Sequence, residues 1–174
     1  MSIERNNNRR PVEREKSDLE EKIIQISRVS KTVKGGRKIS FSVMAAVGDK
    51  KGKVGIGLGK ANGVPEAIKK AISAAKRNMV DVSLKNATIP HPTVGEFSAT
   101  QVIMKPAVQG TGIKAGSSAR DILDLVGVHN ILTKILGSKN KLNVARATIN
   151  GLLELRTAEK IAEMRGKTVA EILG

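Results

Sequence analysis

The sequence lacks cysteine, tyrosine and tryptophan, and its aromatic side chains are limited to Phe41 and Phe97. The absence of cysteine excludes disulfides, thiolate metal sites and cysteine nucleophiles. Single-strand nucleic-acid readers stack bases on aromatic side chains, and two phenylalanines cannot form such a platform. His91 and His129 are the only histidines and are not in a metal-ligand spacing. We therefore predict neither a metal site nor a cofactor.

Long apolar runs are also missing. No stretch approaches the ~18 apolar residues that span a bilayer, and the first ten residues lack the apolar core of a signal peptide. We therefore expect a cytoplasmic chain with no membrane partner. Hydrophobic residues still make up 40% of the 174 residues, which is enough for a packed core in one domain or two small ones.

The charge is strongly one-sided. There are 31 Lys and Arg against 16 Asp and Glu, which gives a formal net charge of +15. A folded domain with this much uncompensated charge repels itself, so its working state should include a polyanion. A solvated basic surface is the alternative, although soluble domains usually carry only a few net charges. Because aromatic side chains are scarce, we expect contacts with phosphates, riboses and helix shape.

The first half of the chain shows the period-two pattern of strands. Apolar residues alternate from Ile39 to Val47 and resume after a turn-forming segment, 48–52, which predicts two antiparallel strands. The stretch from Leu19 to Val29 fits either a first strand or a turn of helix. In the strand after the turn, glycines between the apolar positions would let another backbone approach closely. These glycines are Gly55, Gly57 and Gly59.

A helix should follow these strands. Pro65 occupies a position that tolerates proline at a helix start, and an apolar stripe continues at helical spacing to Met79. We expect residues 17–85 to form an antiparallel sheet with this helix packed on it. Residues 1–16 are polar and charged, and we expect a flexible basic arm that either orders on RNA or is an inert tail.

The second half has an α+β pattern. Pro90-His91-Pro92 predicts a stiff linker over residues 86–95, since neither regular element continues through such a segment. The domain expected beyond it, residues 96–174, has predicted elements in this order: a strand from Phe97 to Pro106, a helix ending near Val126 and capped by Ser117 or Ser118, a strand over 130–136, a helix from Val144 to Leu155, and short helices over 158–173 broken at Gly166.

Two glycine-rich segments raise the question of nucleotide chemistry. The spacing in Gly55–Lys60 matches neither a dinucleotide fingerprint nor a P-loop. Gly110–Gly116 is the better anion site because it leads into a helix N-terminus, where amides favour a phosphate of a nucleotide or of RNA. A phosphotransferase would also need magnesium ligands and a general base, and nothing near this segment in the sequence offers both, since Asp121 and Asp124 lie on the helix that follows it. A phosphotransferase is therefore the weaker alternative, and we expect no enzyme and no small-molecule substrate.

Basic residues cluster at three places in the first half: the 28–38 loop, the 50–53 turn and the 69–77 helix. A sheet-plus-helix domain can present such loops and a helix to successive minor grooves of an RNA duplex. The predicted RNA-binding residues are Arg28, Lys31, Thr32, Lys34, Gly35, Gly36, Arg37, Lys38, Lys50, Lys51, Lys53, Gly55, Gly57, Lys60, Lys69 and Lys114.

Several ordered motifs along the chain carry a family resemblance. They are Arg28–Arg37 with the Phe41 strand, Gly52–Ala61, Val64–Ile68, Gly110–Arg120, Gly127–Asn130 and Arg165–Gly174. Together they resemble the family of small-subunit ribosomal protein five in its bacterial form. The resemblance covers roughly residues 17–174 and leaves the basic arm without a signature.

The resemblance implies a double-stranded-RNA-binding-like N-terminal domain and a βαβ-type C-terminal domain of a kind shared with ATP-binding proteins. It further implies binding to small-subunit rRNA near the decoding region and the channel through which mRNA enters, contact with ribosomal proteins four and eight, and an influence on translational accuracy. By the same resemblance, Arg28–Arg37 would reach rRNA near the spectinomycin site. Gly112 and Arg120 would lie at the accuracy-related boundary with protein four. A free-standing duplex-RNA-binding or RNA-chaperone protein is the alternative.

Overall fold

A computed structural model describes residues 19–173, so the expected basic arm, residues 1–16, lies outside the described residues. Within this part the chain forms two four-stranded sheets and five helices, in an α+β fold. The elements are β1 (Glu20–Val33), β2 (Gly36–Gly48), β3 (Lys53–Ala61), α1 (Val64–Arg77), β4 (Met79–Asp81), β5 (Thr93–Phe97), β6 (Thr100–Pro106), β7 (Ile113–Lys114), α2 (Ser117–Val126), β8 (Ile131–Gly137), α3 (Lys141–Leu153), α4 (Ala158–Arg165) and α5 (Val169–Leu173).

The first sheet is antiparallel, in the order β1-β2-β3-β4, and α1 packs on one of its faces. The stretch that began at Leu19 is a strand, not a turn of helix. Pro65 stands in the first turn of α1, as predicted. Met79 was expected on the apolar stripe of this helix and is instead the first residue of β4, because α1 ends at Arg77.

The glycines of β3 are confirmed as a close-approach surface. A Cβ atom on Gly55, Gly57 or Gly59 would lie 2.2–2.3 Å from a backbone carbonyl oxygen of α1. No side chain fits in that space, so glycine is what allows the helix backbone to rest directly on the strand. This contact fixes α1 against β3 along most of its length.

The second sheet has the order β5-β6-β8-β7, and β7-α2-β8 is a parallel βαβ unit. The segment expected as a strand, from Phe97 to Pro106, contains β6, preceded by the two-residue turn of a hairpin with β5, in which Ser98 lies in the left-handed region at φ 53°. β5 begins at Thr93, inside the stretch 86–95 that was expected to be a linker. The predicted serine cap of α2 is wrong. Gly116 is the N-cap and no side chain caps the helix, while Ser118 is buried inside its first turn.

One apolar core extends across both sheets. Its buried side chains include Met44 and Val54 of the first sheet and Ile122 and Leu125 of α2. The opposite face of β2 packs Val43 and Ala45 against buried alanines of α1. The first sheet is therefore covered on one face by α1 and, over part of the other, by the C-terminal half.

Backbone hydrogen bonds join the two halves. The Lys50 amide donates to the Leu125 carbonyl (N to O 3.0 Å), and the Gly52 amide donates to the Val126 carbonyl (2.9 Å). Gly127 adopts φ +94°, and a Cβ there would lie 2.2 Å from the Lys50 carbonyl oxygen. We call the contact of the β2–β3 turn with the end of α2 the junction.

Candidate nucleic-acid interface

The β1–β2 hairpin extends beyond the rest of its sheet. β3 pairs with β2 only from Phe41 to Gly48, so the pairs between Arg28 and the turn have no third strand beside them. We call residues 28–40 the ribbon. At about 3.4 Å per residue, it projects about 20 Å from Arg28 to Lys34 at its tip. The predicted turn at Gly35 is confirmed, with φ +92° and no atom within 4 Å of a Cβ built there.

The charged residues of the ribbon are all positive. Its five cations, Arg28, Lys31, Lys34, Arg37 and Lys38, are all exposed, and no acidic residue lies between positions 28 and 40. None of the ion pairs formed among the described residues includes any of the five. One of the three predicted basic clusters, the 28–38 segment, therefore lies on a single projecting element.

The register spreads these cations over both faces of the ribbon. Lys31 is paired across from Lys38, and Thr32 from Arg37. Because side chains alternate along a strand, Lys31 and Lys38 share one face while Arg28 and Arg37 lie on the other. Like charges placed directly opposite each other destabilise an antiparallel pair, and a lone two-stranded hairpin is marginal in water. A polyanion bound along the ribbon would remove that repulsion.

The 50–53 turn differs from the ribbon because its cations have carboxylate partners. Lys50 pairs with Glu20 (Nζ to Oε1 2.5 Å) and Lys53 with Asp81 (3.5 Å). The hydrogen bond to Glu20 raises the pKa of Lys50. Lys51 is exposed and has no ion-pair partner among residues 19–173. Direct phosphate contact by Lys50 or Lys53 would have to compete with these carboxylates.

Lys60 and Lys69 lie at a cleft between β3 and α1 of about 400 Å³. Lys70 and Arg77 line the same cleft and were absent from the predicted set. Their spacing of seven residues, two turns of one helix face, is the signal in the sequence that marks them.

Gly55 and Gly57 were predicted to bind RNA, and the structure shows a packing role for both. Both residues are buried against the backbone of α1, so they have a packing role and no exposed surface to offer. The same sequence pattern had correctly indicated the backbone approach, and the burial leaves no room for a second partner.

In the C-terminal half, Lys114 and Arg120 are exposed and Gly112 is half-buried. The Gly110 and Gly112 amides both donate to the Asn130 side-chain oxygen, at 3.0 and 3.2 Å. Two of the amides expected to receive a phosphate are therefore already satisfied within the protein.

Both histidines lie within the described part of the chain. Across residues 19–173, no three His, Asp or Glu side chains are grouped closely enough to hold an ion. None of the helices in this range is long and apolar enough to cross a membrane.

Comparisons with known proteins agree with this architecture. The family model for the N-terminal domain of ribosomal protein S5 matches residues 19–83, and the model for its C-terminal domain matches residues 95–165. Two relatives named small ribosomal subunit protein uS5 are similar over nearly their whole length. The protein of Fusobacterium nucleatum is 64% identical over 92% of this chain and 98% of its own. The protein of Thermotoga neapolitana is 55% identical over 89% of this chain and 87% of its own.

Proposed function

This chain belongs to the ribosomal protein S5 family, and on that premise we propose that it is a structural component of the small ribosomal subunit that binds small-subunit rRNA. The family is one of structural ribosomal proteins, and the chain is not an enzyme. The chain is then located in the cytoplasmic ribosome and takes part in translation.

The ribbon is the observation that carries rRNA binding. Five exposed cations without a carboxylate partner among the described residues stand on an element that extends past the third strand. Binding to phosphates releases condensed counterions, which favours association in proportion to the cations engaged. The ribbon reaches about 20 Å, so its cations are spread widely enough to contact more than one phosphate along an RNA backbone.

A finer placement belongs to the same proposal. We place the ribbon against rRNA near the decoding region and the channel through which mRNA enters, with ribosomal proteins four and eight as neighbours. Gly112 and Arg120 would contact protein four at a boundary that influences translational accuracy. Both residues support this by their exposure and chain position, since neither is buried, Gly112 precedes β7 and Arg120 follows it in α2.

Sedimentation of a lysate through a sucrose gradient after a high-salt wash tests the assignment. We expect the chain to migrate with the small subunit in near-stoichiometric amount. A chain that stays at the top of the gradient would instead have a free RNA ligand, and the structural ribosomal role would be wrong.

Accuracy needs its own experiment. Arg120→Ala in ribosomes carrying this chain should change the rate of misreading of a near-cognate reporter codon, while Lys85→Ala, at another exposed cation, serves as the control. Equal misreading in both would remove Arg120 from the proposal and leave rRNA binding untouched.

A further inference from the structure

One edge of the first sheet is left partly unpaired. β4 pairs with β3 only over Lys53–Gly55. From Ile56 to Lys60, the side of β3 facing away from β2 pairs with no strand among residues 19–173. An unpaired strand edge presents backbone donors and acceptors that can pair with another chain.

A groove runs along this edge between two helices. One wall is a stripe of α1 and the other a stripe of α3, and two adjoining cavities of about 450 and 400 Å³ share Leu58 and Ala74. The α1 wall carries Lys70, Ser73, Ala74 and Arg77, and the α3 wall carries Leu142, Arg146, Ile149 and Asn150.

The two walls differ in chemistry. The α1 side is basic, and Lys60 and Lys69 extend it, whereas the α3 side combines half-buried Leu142 and buried Ile149 with the exposed side chains of Arg146 and Asn150. No Asp or Glu lines either cavity. Leu58 stands at the centre of the groove and is 45% exposed. Arg146 is held at the α3 wall, with its guanidinium 5.0 Å from the centre of the Phe97 ring.

We propose that this groove binds an extended segment of a partner protein, which adds a strand to the free edge of β3. The side chains of an added strand alternate between the two faces of the sheet. Those toward α1 meet cations and should be acidic, and those toward α3 meet Leu142 and Ile149 and should be apolar. The partner is therefore a segment of alternating acidic and apolar residues. This proposal rests on the groove alone and goes beyond rRNA binding.

The apolar wall favours a protein segment over RNA. A sugar–phosphate backbone in the groove would place polar atoms against Leu58, Leu142 and Ile149, where they would lose water without gaining hydrogen bonds. RNA phosphates are better served by the ribbon, which has no large apolar wall. The cations of α1 alone would attract either RNA or an acidic protein segment. The unpaired edge of β3 and the apolar side chains beside it favour the protein segment.

The test uses the full chain and a fluorescent octapeptide of alternating glutamate and valine. We expect saturable binding by anisotropy, with slowed amide hydrogen exchange at residues 56–60. The double variant Lys70→Glu and Arg77→Glu should bind the peptide about tenfold more weakly or worse. The matched control, Lys31→Glu and Lys38→Glu on the ribbon, also reverses two cations and should leave peptide affinity unchanged. Thermal unfolding of each variant establishes that it is folded.

Three results would overturn the proposal. The first is absence of peptide binding by the folded native chain. The second is equal binding of a lysine–valine octapeptide, which would remove the acidic requirement. The third is slowed exchange at residues 56–60 on addition of an RNA duplex but not of the acidic peptide, which would assign the groove to RNA.

Discussion

The two ends of β2 serve opposite purposes. Its first four residues, Gly36–Ile39, are exposed on the ribbon, while its last six, Val43–Gly48, are buried between α1 and the C-terminal half. The buried end is neutral and packed against backbone, whereas the exposed end is cationic and has only β1 beside it. A single strand thus joins a surface whose cations repel one another to a core whose packing stabilises the fold despite that repulsion.

The largest effect should come from filling the space under α1. In Gly57→Ala the new Cβ would lie 2.2 Å from the Ala71 carbonyl oxygen, so helix and strand must separate. We expect a loss of about 3 kcal/mol or more in the free energy of unfolding, measured by urea titration.

Gly35→Ala on the ribbon is the matched control. It meets no atom within 4 Å, and only its φ of +92° is unfavourable. Its cost should be about 1 kcal/mol. Equal losses in the two variants would contradict the contrast between the packed and the projecting end.

The next effect is on RNA affinity. Lys34→Ala at the ribbon tip should reduce the salt slope of binding to a small-subunit rRNA fragment by about one unit, because one phosphate contact is lost. Lys53→Ala should change the slope less, since Asp81 lies 3.5 Å from this ammonium. The measurement is log Kobs against log salt for each variant. An unchanged slope for Lys34→Ala would remove that residue from the interface.

The junction offers a pH test. The ion pair with Lys22 holds the pKa of Asp124 below its ordinary value. The stability it contributes is present above the unfolded pKa, near 3.8, and is lost as pH falls through the lower folded value. Because both side chains are about one-third exposed, at 36% and 35%, Asp124→Asn should cost no more than about 1 kcal/mol at neutral pH.

The difference in the free energy of unfolding between Asp124→Asn and the native chain should shrink as the pH falls below 3.8 toward the acid end of a urea-unfolding series at several pH values. A difference that persists there would have another origin. Lys51→Ala, at an exposed position of the β2–β3 turn in the junction, is the control for general charge effects.

The smallest effect sharpens the comparison by separating stability from binding. Lys38→Glu places a carboxylate across from Lys31 and removes a like-charge pair. It should stabilise the free chain by a few tenths of a kcal/mol while weakening RNA binding. Urea unfolding of the free chain checks the stability, and titration of the same sample with RNA checks the affinity, each compared with the native chain. A variant that loses stability would contradict the proposed repulsion within the ribbon.

Much of the fold was predictable because its signals are local. The alternation in 39–47, the Gly35 turn and Pro65 at the start of α1 each depend on nearby residues. The errors lie where local signals were ambiguous. Ser98 takes a positive φ that serine rarely adopts, so the turn before β6 was missed, and with it the strand β5, which begins inside the expected linker.

For the candidate site, the sequence located the cations but not their environment. Lys34 and Lys50 look alike in sequence, yet Lys50 has a carboxylate partner thirty positions away, Glu20, and Lys34 has none among the described residues. Likewise, Gly55 and Gly57 were assigned both to packing and to RNA, and their burial beneath α1 shows the packing role.

The sequence by itself determined the charge, the lack of stacking side chains and the cluster of five cations around the Gly35 turn, since composition and short-range pattern are enough for these. It did not determine that this cluster lies on two paired strands, because it was expected to be a loop. Only the tertiary structure decided which cations stay without a partner, why β2 is buried on both faces at one end, and where β3 is left unpaired. Those features depend on contacts between distant residues, such as Lys22 with Asp124, which are 102 positions apart. Packing of the whole chain creates these contacts, and no local pattern encodes them.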